Sequence, residues 1–127
     1  MIFLTKSKIM SIEKLTKALA RLDWIATASD GVLDEDFAKP SQRAITNCRV
    51  FLKSRKNLPD FYAIVPTAEG NILLEFLVGN LDYGIEFMAH GVIFFMVDLK
   101  SEKDSYKQFS SHLDEKFCSA FDAAVLI

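Results

Sequence analysis

The stretch PTAEGNILLEFLVGNLDYGIEFMAHGVIFFMVD, residues 66–98, alternates large apolar residues with smaller or polar ones. It carries glycine-bearing turn signals at Glu69-Gly70, Gly79-Asn80 and His90-Gly91. A period of two marks a strand with one face buried. Glycine supplies the positive φ that tight hairpin turns require. With Phe61 as the upstream limit, the pattern predicts strands over 61–67, 71–78, 81–88 and 92–98, joined as an antiparallel meander.

Two-residue turns dictate pairing, so the proposed hairpins can be tested against one another. With Gly79-Asn80 central, Phe76 faces Tyr83, Leu74 faces Ile85 and Ile72 faces Phe87. With His90-Gly91 central, Phe87 faces Phe94 and Ile85 faces Met96. With Glu69-Gly70 central, Val65 faces Leu74 and Ala63 faces Phe76. All three turns then place Phe61, Ala63, Val65, Ile72, Leu74, Phe76, Tyr83, Ile85, Phe87, Phe94 and Met96 on one face, and a slip of one residue would break that agreement.

Outside the sheet the period changes to that of helices. Ile12, Leu15, Leu19 and Leu22 form a stripe that predicts a helix from Ser11, as N-cap, to about Leu22. A loop, DWIATASDGVLDEDFAKP, follows, with Trp24 and Phe37 expected to fold back on the core. A second helix is predicted from Pro40-Ser41, with the proline in the first turn, to Arg55–Asn57. Its buried face is Ala44, Ile45, Cys48, Phe51 and Leu52, and Pro59 blocks its continuation. Tyr106, Phe109, Leu113, Phe117 and Phe121 suggest a last helix from Lys103 to Ala120 or beyond, with the apolar ending AAVLI packed on the core as a helix end or short strand. The expected fold is a single α+β domain over residues 1–127: two N-terminal helices, a four-stranded antiparallel meander and a C-terminal helix.

Composition agrees with one globular domain. The chain has 127 residues, 50% of them apolar, and contains 11 Phe, enough for a core without disulfides or metal. The net charge of −2 and pI near 5.6 argue against direct nucleic-acid binding, which draws on a basic excess. Arg43, Arg49, Lys53, Arg55 and Lys56 read as a solvated helix face. Cys48 and Cys118 sit in apolar helical patterns and read as reduced thiols, with pairing between them left open. The apolar start, MIFL, precedes its lysines and is too short for a signal peptide or membrane span, so a cytoplasmic protein is expected.

The opposite face of the predicted sheet is less ordinary. It carries Tyr62, Ile64, Leu73, Glu75, Leu77, Asp82, Gly84, Glu86, Met88, Ile93, Phe95 and Val97. That is too apolar for a solvated face and too acidic for a dry core. Either a helix covers part of it or it binds another chain, a second copy included. His90 and His112 lack metal-ligand spacing. Asp34, Glu35 and Asp36 lack the spaced ligands of a calcium loop. Glu75 and Glu86 share a face on neighbouring strands, where paired carboxylates could serve acid–base chemistry, but no cavity is implied around them. No cofactor is indicated.

PSQRAITNCRVFL, IVPTAEGNILLEF and IEFMAHGVIFFMVD together resemble a group of small uncharacterised bacterial and phage α+β proteins. The shared pattern is a helix opening with Pro-Ser, a Pro-Thr-x-x-Gly hairpin and a Leu-Glu-aromatic strand. Here Pro66, Thr67, Gly70, Leu74, Glu75, Phe76, Ile85, Glu86 and Gly91 carry it, over about residues 40–98. The group's Asn-Trp-Asp-Gly element is reduced to Trp24 and a displaced Asp30-Gly31. The resemblance implies a small protein from a mobile element and no catalytic residues. The expected function is a non-catalytic protein-binding module, an inhibitor of a larger bacterial protein in the manner of an antitoxin or an anti-CRISPR protein. Its expected contact residues are Tyr62, Glu75, Asp82, Glu86, Phe95, Asp34, Glu35 and Asp36. The alternatives are a self-assembling homo-oligomer and a small enzyme using Glu75 and Glu86.

Overall fold

The structure, a computed structural model, describes residues 6–28, 39–101, 103–111 and 113–125, and the side chains of these except 6–8 and 103–108. Its elements are α1 (Lys6–Thr27), α2 (Gln42–Ser54), β1 (Ala63–Pro66), β2 (Ile72–Val78), β3 (Leu81–Met88), β4 (Gly91–Asp98), β5 (Lys103–Ser110) and α3 (Glu115–Val125). The strands form one antiparallel sheet in the order β1-β2-β3-β4-β5. The α+β meander is as expected, with one strand more.

The extra strand corrects the reading of residues 103–110 as helix. Tyr106, Phe109 and Leu113 have helical spacing, but the open edge of β4 offers a ladder of hydrogen bonds, and pairing with it overrides that spacing. Tyr106 pairs with Met96, Gln108 with Phe94 and Phe109 with Ile93, with an irregularity between Met96 and Val97. The helix starts only after Asp114, whose carboxylate accepts from the Phe117 N–H at 2.8 Å as an N-cap. Phe117, Phe121 and Ala124 then face the core, so the apolar ending is a helix end as far as Val125. His112 lies outside the described residues.

The β2–β3 register is the predicted one: Phe76 opposes Tyr83, Leu74 opposes Ile85 and Ile72 opposes Phe87. The other two hairpins differ. The β3–β4 turn centres on Ala89-His90, so Phe87 opposes Val92 and Ile85 opposes Phe94. That is a shift of two in pairing, which leaves every side chain on its predicted face. The β1–β2 connection spans residues 67–71, closed by Thr67 N–H to Asn71 O at 2.9 Å and by Asn71 N–H to the Thr67 hydroxyl at 3.1 Å. An odd-length loop inverts parity, so Ile64 and Pro66 are buried in place of Ala63 and Val65.

Helix α1 is longer at both ends than predicted. Its buried residues are Ala18, Leu22 and Ile25, while Ile12 is 47% exposed. Trp24 belongs to the helix and stays exposed, with the Arg21 guanidinium 4.8 Å from its ring. Phe37 lies outside the described residues. In α2 the buried face is the predicted one. Ser41 is its N-cap, accepting from the Ala44 N–H at 3.1 Å, so Pro40 stands before the cap, not in the first turn.

All three helices pack on the same face of the sheet. One core joins Leu22 and Ile25 of α1, Ile45, Phe51 and Leu52 of α2, Phe117 and Phe121 of α3, and Ile72, Leu74, Phe76, Ile85, Phe87 and Phe94 of the sheet. Phe51 is the centre: its ring lies 5.3 Å from Phe87, 5.3 Å from Phe117 and 4.8 Å, edge-on, from Phe121. Phe76, Tyr83 and Phe94 stack across three strands at 5.0 and 5.7 Å. Arg55 clips α2 to α3 through Asp122 at 2.9 Å.

Both cysteines are free. Burial holds the Cys48 thiol far above its ordinary range, against the opposing pull of Arg49. Burial also raises half-buried Cys118. A thiol reagent at mildly alkaline pH is expected to label Cys118 slowly in the native protein and Cys48 only on unfolding. Phe51→Ala removes the ring that joins two helices to the sheet and should cost about 3–5 kcal/mol in urea unfolding.

Candidate functional site

The sheet's second face remains after the helices have taken the first. Reading across the strands, one row runs Val65, Leu73, Glu86, Ile93, Phe109; the next runs Ala63, Glu75, Gly84, Phe95; a third runs Leu77, Asp82, Val97. Lys107 takes the β5 position opposite Phe95. Among the described residues no helix packs here. Leu77 is 52% exposed and Phe109 61%. Leu73, Met88, Ile93, Phe95 and Val97 are half-buried.

Two rings on this face serve the backbone beneath them. A Cβ placed on Gly84 would collide with the outer end of the Phe95 ring, so Phe95 covers bare backbone that only glycine provides. A Cβ on Gly91 would come within 2.8 Å of the Phe109 ring. Each aromatic covers main chain that a glycine leaves open, which pins register as well as offering surface. Phe95 therefore has a structural duty alongside its predicted contact role. Phe109, predicted as a buried helix residue, is the most exposed large apolar side chain described.

The acidic groups are arranged, not scattered. Tyr62 donates its backbone N–H to the Glu75 carbonyl at 3.0 Å, although Ala63 is the register partner of Glu75. Two successive residues thus oppose one, and the Tyr62 ring swings onto the second face. Its hydroxyl stands 2.5 Å from Glu75 Oε2 and 2.8 and 3.0 Å from the Asp82 carboxylate oxygens. A phenol has one proton to donate, so the two carboxylates compete for it. Desolvation of the hydroxyl, the two hydrogen bonds and the negative charge of both partners push the Tyr62 phenol well above its ordinary value. Glu86 is held separately, accepting from Asn71 Nδ2 at 2.7 Å.

The structure thus brings Tyr62, Glu75 and Asp82 together and leaves Glu86 and Phe95 on the same face. Asp34, Glu35 and Asp36 lie outside the described residues. Glu75 and Glu86 have different partners, and they stand on an open surface. His90 is exposed, with Arg43 Nη1 3.3 Å from its Nδ1.

A comparison of the chain with protein-family models, curated proteins and solved structures finds no match. Among the described residues no group of His, Cys, Asp or Glu is placed to hold a metal ion, and no helix is long and apolar enough to cross a membrane.

The raised Tyr62 phenol has a defined stability consequence. Its neutral form is favoured in the folded state, so its contribution is complete below the unfolded value of about 10 and is lost as pH rises beyond it. The difference in urea midpoint between the wild type and Tyr62→Phe should be constant from pH 7 to about 9 and shrink above about 10.

Proposed function

We propose that the chain is a protein-binding module and that the second face of the sheet is its contact surface. The placement of all three helices on the opposite face carries this reading, because it leaves a broad apolar surface unpartnered among the described residues. Contiguous exposed apolar surface rimmed by polar groups marks interaction sites. The charged side chains described on this face are Glu75, Asp82 and Glu86. They fit a partner whose apolar surface is edged by Lys or Arg.

The open setting of Glu75 and Glu86 weighs against catalysis, which needs groups converging on a cavity. The inhibitory form of the reading, in which the module occludes a larger bacterial protein as an antitoxin or an anti-defence protein would, draws on the resemblance of the strand motifs to small bacterial and phage proteins. The contact face draws on the fold.

Affinity capture from bacterial lysate tests the reading when wild type is run beside Leu77→Glu and a control on the far side, Lys116→Gln. The expected result is one foreign protein retained in stoichiometric amount by wild type and by Lys116→Gln, and reduced at least about tenfold by Leu77→Glu, a loss of about 1.4 kcal/mol. Equal retention by all three would overturn the assignment of the face. Elution as a defined oligomer of the chain alone would replace it with self-assembly.

A further inference from the structure

A second surface feature is independent of the open face. Between α1 and the segment leading into β1 lies a half-open cleft of about 220 Å³, lined by Lys14, Lys17, Ala18, Arg21, Pro59, Asp60, Phe61, Tyr62 and Ile64. Its floor is apolar, with Ala18 and Ile64 buried and Phe61 packed edge-on against Phe76 at 5.9 Å. Its rim is cationic. Lys14, Lys17 and Arg21 recur at spacings of three and four along α1, so one helical face presents all of them.

Those charges are poorly neutralised. Lys14 reaches Asp60 at 4.0 Å, the outer limit of an ion pair, and the Asp60 side chain is 84% exposed. Lys17 has no acidic partner among the described residues. Counting Lys14, Lys17 and Arg21 against Asp60, the cleft has a formal charge of +2 in a chain whose net charge is −2. Glu75 and Asp82 do not line it; they lie beyond the Tyr62 ring and hold its hydroxyl.

Arg21 is oriented in advance. Its Nε donates to the Ile64 carbonyl at 2.9 Å, and its guanidinium rests over the Trp24 ring. That bond satisfies an outward carbonyl of the edge strand, and among the described residues neither Nη group has an acceptor. A planar fork with its geometry already set suits the paired oxygens of a carboxylate or phosphate. The cleft is smaller than the roughly 300–1,000 Å³ of pockets for drug-sized ligands, so its occupant is correspondingly small.

We propose that this cleft binds a small organic anion, a carboxylate or phosphate carried on an apolar ring or short chain. The oxyanion pairs with Arg21 and Lys17, and the apolar body lies over Ala18, Phe61 and Ile64.

Trp24, the single tryptophan, reports on Arg21. Its fluorescence is followed while benzoate, phenyl phosphate, inorganic phosphate and benzyl alcohol are titrated into the full chain. The expected result is saturable binding of benzoate or phenyl phosphate with a dissociation constant on the order of 1 mM or tighter, and binding of the other two at least about tenfold weaker. The better of the first two identifies the head group. Lys17→Gln, at an exposed position, should weaken binding about threefold or more, and Arg21→Gln about tenfold or more. The proposal is overturned if neither anion saturates, if benzyl alcohol binds as well as benzoate, if inorganic phosphate matches phenyl phosphate, or if a folded Lys17→Gln and a folded Arg21→Gln both bind as wild type does.

Discussion

The β2–β3 hairpin sets the side of the sheet to which everything else attaches. Gly79, at a φ of 59°, lets the chain reverse through two residues. That reversal aligns Ile72, Leu74 and Phe76 with Phe87, Ile85 and Tyr83, all buried. A substituted Gly79 would meet no steric obstacle, so its constraint is the left-handed backbone alone. With this face fully apolar, the amphipathic helices have one place to go. Phe51 then binds α2 and α3 to it through ring contacts, and Ser41 and Asn47 fasten α2 by hydrogen bonds to the Gly70 and Met88 carbonyls.

Placing the helices together divides the surface chemically. The second face carries apolar side chains with Glu75, Asp82 and Glu86, while the cleft beside α1 carries Lys14, Lys17 and Arg21. Tyr62 stands at the boundary: its ring lines the basic cleft and its hydroxyl holds the acidic pair. The edges of the sheet are handled differently. At β1, Arg21 occupies the Ile64 carbonyl and Pro66 removes a donor, which blunts an edge that could otherwise recruit another strand.

Much of this was legible in the residues. Alternation between 72 and 87 predicted the central pairing to the residue, and the apolar stripe of α2 predicted its buried face. What escaped has physical causes. The β1 register depended on loop length, and Thr67 extends the loop through its hydroxyl, a local bond that the Glu69-Gly70 pair does not advertise. Residues 103–110 had a helical spacing of aromatics, and the open edge of β4 overrode it. The start of α3 is set by Asp114, whose capping bond to the Phe117 N–H the spacing of the aromatics did not reveal. Tyr62, Glu75 and Asp82 were placed on one face by parity, but their meeting depends on two residues opposing Glu75, which alternation does not foresee.

The central claim is that the helices pack on one face of the sheet and that, among the described residues, the other face is left open to water. Methyl-labelled protein exposed to a soluble paramagnetic agent tests it directly in the isolated chain by NMR. The account predicts strong broadening of Leu77 methyls and intermediate broadening of Leu73, Ile93 and Val97, with Ile72, Leu74, Ile85 and Val92 protected. Protection of Leu77 and Ile93 equal to that of Ile85, at a concentration where the chain is monomeric, would contradict it, because the face would then be covered by the chain itself.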